Sequence, residues 1–425
     1  MGRGREARDR AVKNQYEDFP YPPRNPEVER HRLITGSPSH LDELNHYLFG
    51  GRRDYTKPFR ALVAGGGTGD AAIMLAQQLA DRGEAGTVTY VDLSAASRQV
   101  VEARADVRGL TNIEFHTASL LEVPDMGFEP FDYIDCCGVL HHLEEPEAGL
   151  KALEAVLADD GGMGLMVYAT LGRIGVYHTQ NALQMLLGDL DQKKQVPLAK
   201  KFVAQLPKTN WLVRNPFVGD HKLGEDAAFF DLLLHPRDRS YLVPEVAEFL
   251  RGADLELVSF IEPVKYDPAT FLKDPELIKR ARTLSPIDQA ALAENMTGSQ
   301  KVHIFYARKT GSGSEIAKLS PEMIPILKDG NSAAQLSQAF KGRKIFEVSF
   351  DGEKAEFALP ERASEMVALF DGVRRFSDIQ SELAMNWNNF RQQAGGVVNL
   401  LTSWNILWLR EGGRRGAQKA DKPQG

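Results

Sequence analysis

Along the first 170 residues, short apolar runs alternate with segments whose apolar positions recur at helical spacing. FRALVAG (59–65) is a run that ends in glycines, and DAAIMLAQQLADRG (70–83) has helical periodicity closed by Gly83. TVTYVDL (87–93) reads as a second strand, followed by the helical AASRQVVEARADV (95–107). IEFHTA (113–118) and FDYIDCCG (131–138) give strands three and four. EPEAGLKALEAVLA (145–158) predicts a helix stopped by Asp160-Gly161-Gly162, with GLMVYA (164–169) as the fifth strand. Strands and helices alternating at this spacing predict a parallel, doubly wound α/β sheet with right-handed crossovers.

The alternation stops after residue 170. Residues 171–250 read as helix and loop, a helical insertion. Two further strands follow, LELVSFIE (255–262) and KVHIFYAR (301–308), with helical sequence such as IDQAALAEN between them. GSGS (311–314) has linker composition. Residues 315–410 read as a separate α+β unit: a helix, a hairpin turning at Asp351-Gly352, then two or three helices. The tail, 411–425, has the composition of a disordered segment. At the other end, residues 1–50 form an arm with a basic opening and the aromatic, proline-rich QYEDFPYPPRNP, in which proline enforces extended or turn backbone. A helix is expected at Ser39–Phe49, with Ser39 as its cap.

Composition narrows the class. The chain has 425 residues, 43% hydrophobic and 26% charged, with a formal net charge of −7. No global positive field draws it to nucleic acid or anionic lipid. Nor is there an apolar run near the roughly 18 residues of a membrane span. The best candidate, 397–409, is broken by Asn399, Thr402, Ser403 and Asn405. MGRGREARDR is not followed by an apolar region, so a cytoplasmic protein without a secretory signal is the expectation. The two cysteines, Cys136 and Cys137, are adjacent, and no Cys/His spacing points to zinc. No metal is expected.

Chemistry concentrates at the strand ends. The first strand runs into Gly65-Gly66-Gly67-Thr68-Gly69 and then a helix. Glycines allow positive φ and close ligand approach, and the helix N-terminus offers N–H groups to an anionic group. Asp92 ends the second strand, 23 positions after Gly69, where a carboxylate can accept from ribose hydroxyls. The pair implies a nucleoside-containing cofactor. Gly67-x-Gly69-x-x-Ala72 also meets the relaxed dinucleotide fingerprint, so the loop alone leaves NAD open.

FHTASLLEVP and FDYIDCCGVLHHL, at the ends of strands three and four, together with the GxGxG loop, resemble the motifs of class I S-adenosylmethionine-dependent methyltransferases. That resemblance implies a Rossmann-like seven-stranded sheet whose last strand, 301–308, is antiparallel. It implies that Gly65, Gly67 and Gly69 pass under the methionine moiety, with Gly66 and Thr68 in the same loop. It also implies that Asp92 holds the ribose, that Leu93, Ala118, Ser119 and Leu120 border the adenine, and that Cys137, Gly138 and His141 face the sulfonium. Two positions depart from the family: Val63 stands where an acid is common, and Ser119 replaces the usual Asp.

YEDFPYP, LVAGGGTG, GVLHHLEEPEAGL, VYATLGR and FFDLLLHPRDRSYLVPEV resemble more narrowly the bacterial methyltransferases of the rickettsial outer-membrane-protein lysine methyltransferase type. That likeness implies a methyltransferase domain at 51–310 and a winged-helix-like domain at 315–410. It implies an N-methylated protein lysine as product; a small-molecule N- or O-methyltransferase is the alternative. A non-catalytic cofactor-binding regulator is a third reading, opposed by the intact glycine loop and Asp92. Tyr168, at the end of strand five, and His142 are the catalytic candidates; in the family resembled, the histidine pair more often shapes the pocket. Tyr16 and Tyr21 can fold a lid over the cofactor, or belong to a surface arm. His235, Arg237 and Arg239 can touch substrate or form a turn before the Pro244 helix. A catalytic cysteine is not expected, since no cation lies nearby in sequence. Residues 315–410 hold twelve acids and eleven bases, so protein recognition or support of a homodimer is expected there rather than DNA binding.

Overall fold

The computed structural model describes residues 17, 20–83, 85–222, 226–313, 315–328 and 331–412, without the side chains of 192, 193 and 220. It divides into two compact units. The first comprises residues up to Leu44, Asp54–Ser314 and Ser349–Ala355; the second comprises Asn45–Arg53, Glu315–Val348 and Glu356 onward.

The first unit is built on one sheet. After α1 (Leu41–Leu48), the elements run β1 (Phe59–Ala64), α2 (Asp70–Asp81), β2 (Gly86–Asp92), α3 (Ala95–Arg108), β3 (Ile113–Thr117), β4 (Phe131–Cys137), α4 (Pro146–Ala155) and β5 (Leu157–Ala169). The insertion follows as α5 (Val176–Leu187), α6 (Gln192–Val203), α7 (Trp211–Arg214) and α8 (Asp226–Leu233). Next come β6 (Ser240–Tyr241), α9 (Val243–Arg251), β7 (Leu255–Phe260), α10 (Pro275–Ala281), α11 (Pro286–Thr297) and β8 (Val302–Lys309).

The strand order is β3-β2-β1-β4-β5-β8-β7, with β6 a short addition to β5. β1 to β5 are mutually parallel. β8 lies antiparallel between β5 and β7, as the family resemblance implies. The apolar runs become central strands because both faces are covered: Ala61, Leu62 and Val63 are buried with Ile134 and Leu165. The insertion has its own apolar cluster, in which Val176, Leu183, Ala199, Leu212 and Phe230 are buried.

Three local expectations are corrected. The helix near residue 40 is Leu41–Leu48, and Ser39 does not cap it: its hydroxyl donates to Asp135 Oδ2 at 2.6 Å, inside the core. Asp160-Gly161-Gly162 is not a helix stop. Helix α4 ends at Ala155, and the glycines lie inside β5, which reaches back to pair Leu157 with Phe131. The sheet takes up this backbone from Leu157 on: β4 pairs Phe131 with Leu157 and, past an irregularity, Tyr133 with Gly162, and β8 joins at Met163.

From Glu315 onward the elements are β9 (Met323–Leu327), α12 (Ala333–Phe340), β10 (Ile345–Phe350), β11 (Glu353–Ala358), α13 (Ala363–Ala368), α14 (Phe376–Glu382), α15 (Trp387–Ser403) and β12 (Leu407–Glu411); all belong to the second unit except the hairpin tip Ser349–Ala355, which counts with the first. The unit opens on a strand, not a helix, and β9 pairs with β12 across the unit. Residue 411, placed by sequence in the tail, is the last residue of that strand; 413–425 lie outside the described residues. No described helix is long and apolar enough to cross a membrane.

Candidate active site

Strand order reverses between β1 and β4: the chain builds outward through β2 and β3, then returns to the other side of β1. Ligands of open α/β sheets sit outside the strand C-termini at that switch. A cavity of about 560 Å³ opens there, within the range of a single small-ligand site.

One end is the glycine loop. Gly65, Gly67 and Gly69 have φ of +72°, +51° and +94°. A Cβ on Gly65 would stand 2.4 Å from Val139 Cγ2, and one on Gly69 2.1 Å from Val101 Cγ2. Both backbone angle and space therefore demand glycine. Asp92 ties β2 to the loop: Oδ2 accepts the Gly67 N–H and Oδ1 the Ser94 N–H, each at 2.8 Å. Burial pushes the Asp92 carboxyl up, only partly countered by those two N–H donors. Tyr90 O–H donates to the Gly67 carbonyl at 2.6 Å and holds the loop from beneath.

Gly65, Gly66, Gly67, Asp92, Leu93, Ala118, Ser119 and Leu120 all line the cavity, as do Cys137, Gly138, His142 and Tyr168. Thr68, Gly69 and His141 do not. Thr68 is buried and its hydroxyl donates to the Pro22 carbonyl at 2.6 Å. Ser119 is engaged in a capping box: its Oγ accepts the Leu121 N–H, and its own N–H donates to Glu122 Oε2. One Ser119 lone pair is thus committed to the cap. Burial pushes the thiols of Cys136 and Cys137 up, which keeps both protonated.

The arm reaches this end. Tyr21 and Pro22 line the cavity, and the Tyr21 carbonyl lies 2.7 Å from where a Cβ on Gly67 would be. Tyr16 lies outside the described residues. An ion-pair network anchors the arm. Fully buried Arg104 donates to Glu29 Oε1 at 2.7 and 2.9 Å, to Asp70 Oδ1 at 2.7 Å and to the Thr68 carbonyl at 2.7 Å. Arg24 takes Asp70 from the other side, and Arg108 also reaches Glu29. For Asp70, burial acts upward, but the Arg24 and Arg104 hydrogen bonds outweigh it and hold the carboxyl below its usual value.

The other end is made by β4, β5 and the insertion. Tyr168 O–H donates to Asp231 Oδ2 at 3.1 Å, and the Arg173 guanidinium lies 3.6 Å over the Tyr168 ring. Arg173 also pairs with Asp238 Oδ2 at 3.2 Å. His142 Nδ1 sits 2.9 Å from the Arg237 carbonyl, which assigns the proton to Nδ1. The His142 ring stacks on His235 at 3.8 Å. His235 Nδ1 accepts the Arg237 N–H, so the His235 segment positions His142 and does not itself line the cavity. Arg237 and Arg239 pair outward with Glu144 and Glu147. Burial pushes the His141 and His235 imidazoles far down, so both are neutral.

Sequence reasoning missed Asp231 and Arg173 as cavity residues, and also the 34–39 segment that forms one wall. Asp231 lies within the quoted FFDLLLHPRDRSY motif, but nothing in its spacing assigned it a role.

Residues 62–163 match a family described as a methyltransferase domain. An uncharacterized protein of Synechococcus sp. is 28% identical over 302 residues, covering 67% of this chain and 68% of its own. Among solved structures, PKMT2 from Rickettsia typhi matches with a TM-score of 0.61 and 14% identity, over 90% of this chain and 77% of that one. Its complex with AdoHcy matches with a TM-score of 0.60, 13% identity and the same coverage. At that identity the likeness is one of fold. The glycine cradle and the half-buried Asp92 beneath it lie within the matched residues, and the chain therefore carries a class I, S-adenosylmethionine-dependent methyltransferase domain.

Proposed function

We propose that this protein transfers the methyl group of S-adenosylmethionine to the side-chain nitrogen of a protein lysine. The observation that carries the reading is the Tyr168–Asp231 pair at the far end of the cavity. The cofactor supplies an electrophilic methyl on a sulfonium and leaves as a neutral thioether. The chain's residues do the rest. Gly65–Gly69 let the backbone approach the methionine portion, and Asp92 keeps lone pairs for the ribose after serving Gly67 and Ser94. Ala118, Ser119 and Leu120 border the adenine.

An amine acceptor arrives as an ammonium of pKa ≈ 10.4 and must lose a proton before its lone pair is available. Asp231 attracts that ammonium, orients it and accepts the proton, while Tyr168 holds the carboxylate in place. Positioning and desolvation of this kind supply much of the rate in a displacement with a neutral leaving group. The domains proposed are an arm at 1–50, the methyltransferase domain at 51–310 and a protein-recognition domain at 315–410.

A second reading, a small-molecule methyltransferase, is favoured by Arg173 and Lys301, two cations at the same end that suit an acceptor bearing a carboxylate. The test is incubation with methyl-labelled S-adenosylmethionine and a bacterial membrane-protein extract, followed by acid hydrolysis. Label recovered as methyl-lysine supports the proposal. Label confined to small molecules while cofactor is consumed overturns it.

A further inference from the structure

We propose that His141, His142 and Asp238 form a binding site for one divalent transition-metal ion beside the acceptor end of the cavity. This goes beyond the methyl-transfer reading and does not depend on the acceptor's identity. The residues come from two distant segments, the turn after β4 and the turn after α8. Each offers one donor atom, and the three atoms lie within 4.8 Å of one another. Side-chain rotation closes that span onto bonds of about 2.0–2.2 Å.

The donors are buried. His141 is 0% exposed, His142 5% and the Asp238 side chain 1%. Among the described residues, neither ring nitrogen of His141 has a hydrogen-bond partner, and neither has Asp238 Oδ1. Atoms so placed have given up the hydrogen bonds of water and gained none from the protein. Two groups that carry unpartnered atoms thus stand within the same 4.8 Å span as His142.

The surroundings have the form of an outer ligand shell. A metal-binding histidine ordinarily gives its second N–H to a backbone carbonyl or carboxylate, which fixes the tautomer. His142 does so through Nδ1 to the Arg237 carbonyl, leaving the Nε2 lone pair. Asp238 is oriented likewise: Oδ2 takes Arg173 at 3.2 Å and Gln180 at 3.0 Å, leaving Oδ1. Two imidazoles and one carboxylate suit Zn²⁺, Fe²⁺ or Co²⁺ and not Mg²⁺ or Ca²⁺, which prefer all-oxygen sets. Arg173 brings a positive charge close by. Asp238 and Asp231 together offset it, and Asp231 itself lies within 4.8 Å of donor atoms of His142 and His235. Nothing in the sequence spacing signals this site, because His142 and Asp238 stand 96 positions apart.

The experiment uses the full chain, stripped with EDTA, dialysed and titrated with Zn²⁺ and separately with Co²⁺. Metal content is measured per chain, and the Co²⁺ protein is examined for visible ligand-field bands. The site predicts about one bound ion, Co²⁺ bands characteristic of a low-symmetry N/O site, and no displacement by excess Mg²⁺. His141→Gln and Asp238→Asn each weaken uptake by at least roughly tenfold, while exposed His31→Gln leaves it unchanged. Circular dichroism checks that each variant is folded; if His141→Gln is not, Asp238→Asn carries the comparison. Absence of Co²⁺ bands in the unaltered protein overturns the proposal. So does uptake that is equal in Asp238→Asn and in the unaltered chain.

Discussion

Replacing Arg104 with methionine tests the anchoring of the arm to the glycine loop. Methionine matches the aliphatic stem out to the position of Nε and carries no charge, so packing along the stem is kept while the guanidinium and its ion pairs are removed. Four hydrogen bonds disappear: two to Glu29, one to Asp70 and one to the Thr68 carbonyl. Asp70 keeps Arg24 and is about one-third exposed, so water covers part of its loss. Glu29 is different. Its side chain is 1% exposed, and among the described residues Arg108 is the ion-pair partner that remains to it. Breaking a buried pair by removing one partner costs about 3–5 kcal/mol, and the surviving Arg108 contact places the expectation near the lower figure, about 3 kcal/mol. At roughly 2–4 °C per kcal/mol for a domain of this size, Tm should fall by about 6–12 °C. Urea denaturation and calorimetry measure both, and Arg104→Lys, which keeps charge but loses the fork, should fall between. A double-mutant cycle with Glu29→Gln should give a coupling above about 1 kcal/mol. A loss under about 1 kcal/mol, or strict additivity, refutes the reasoning.

At the acceptor end, Asp231→Asn should lower kcat by about 10²-fold or more with little change in affinity for S-adenosylhomocysteine, and Tyr168→Phe by less. Equal losses of kcat and cofactor binding would contradict the division of the cavity. Burial pushes the Asp135 carboxyl up to about 6, against the Ser39 hydroxyl that favours its ionised form. A raised carboxyl favours the folded state most below its unfolded value near 3.8, and that contribution is lost as pH rises through about 6. The amplitude is about 3 kcal/mol. Asp135→Asn should flatten the stability–pH curve over that window, as chemical denaturation at successive pH values would record. Gly67→Ala combines a φ of +51° with a 2.7 Å approach to the Tyr21 carbonyl. It should weaken S-adenosylhomocysteine binding by at least about tenfold in calorimetry.

The core of the fold was legible because its signals are local. Gly65–Gly69 after an apolar run and Asp92 closing the next strand are short-range patterns, and the structure joins them through the Gly67–Asp92 hydrogen bond. What was not legible depends on partners far away in sequence. Ser39 looks like a helix cap until Asp135, 96 residues on, takes its hydroxyl. Asp160-Gly161-Gly162 looks like a helix stop until β4, pairing with Leu157 before it and with Gly162 at its end, draws the segment into the sheet. MIPIL carries a proline and pairs only with residues 407–411, so neither β9 nor β12 stands out alone. Asp231 and Arg173 reach the cavity by tertiary packing of the insertion, and no spacing rule encodes that.

The cavity between the glycine loop and Tyr168 has the form of a site for S-adenosylmethionine. Titration calorimetry of the intact protein with S-adenosylhomocysteine, and in parallel with NAD, addresses it most directly. One S-adenosylhomocysteine should bind per chain, and NAD should give no heat. Asp92→Ala should weaken binding by at least about tenfold, since a charged hydrogen-bond acceptor is worth about 1.5–3 kcal/mol. Binding of NAD without S-adenosylhomocysteine, or an affinity indifferent to Asp92, would contradict this reading of the cavity.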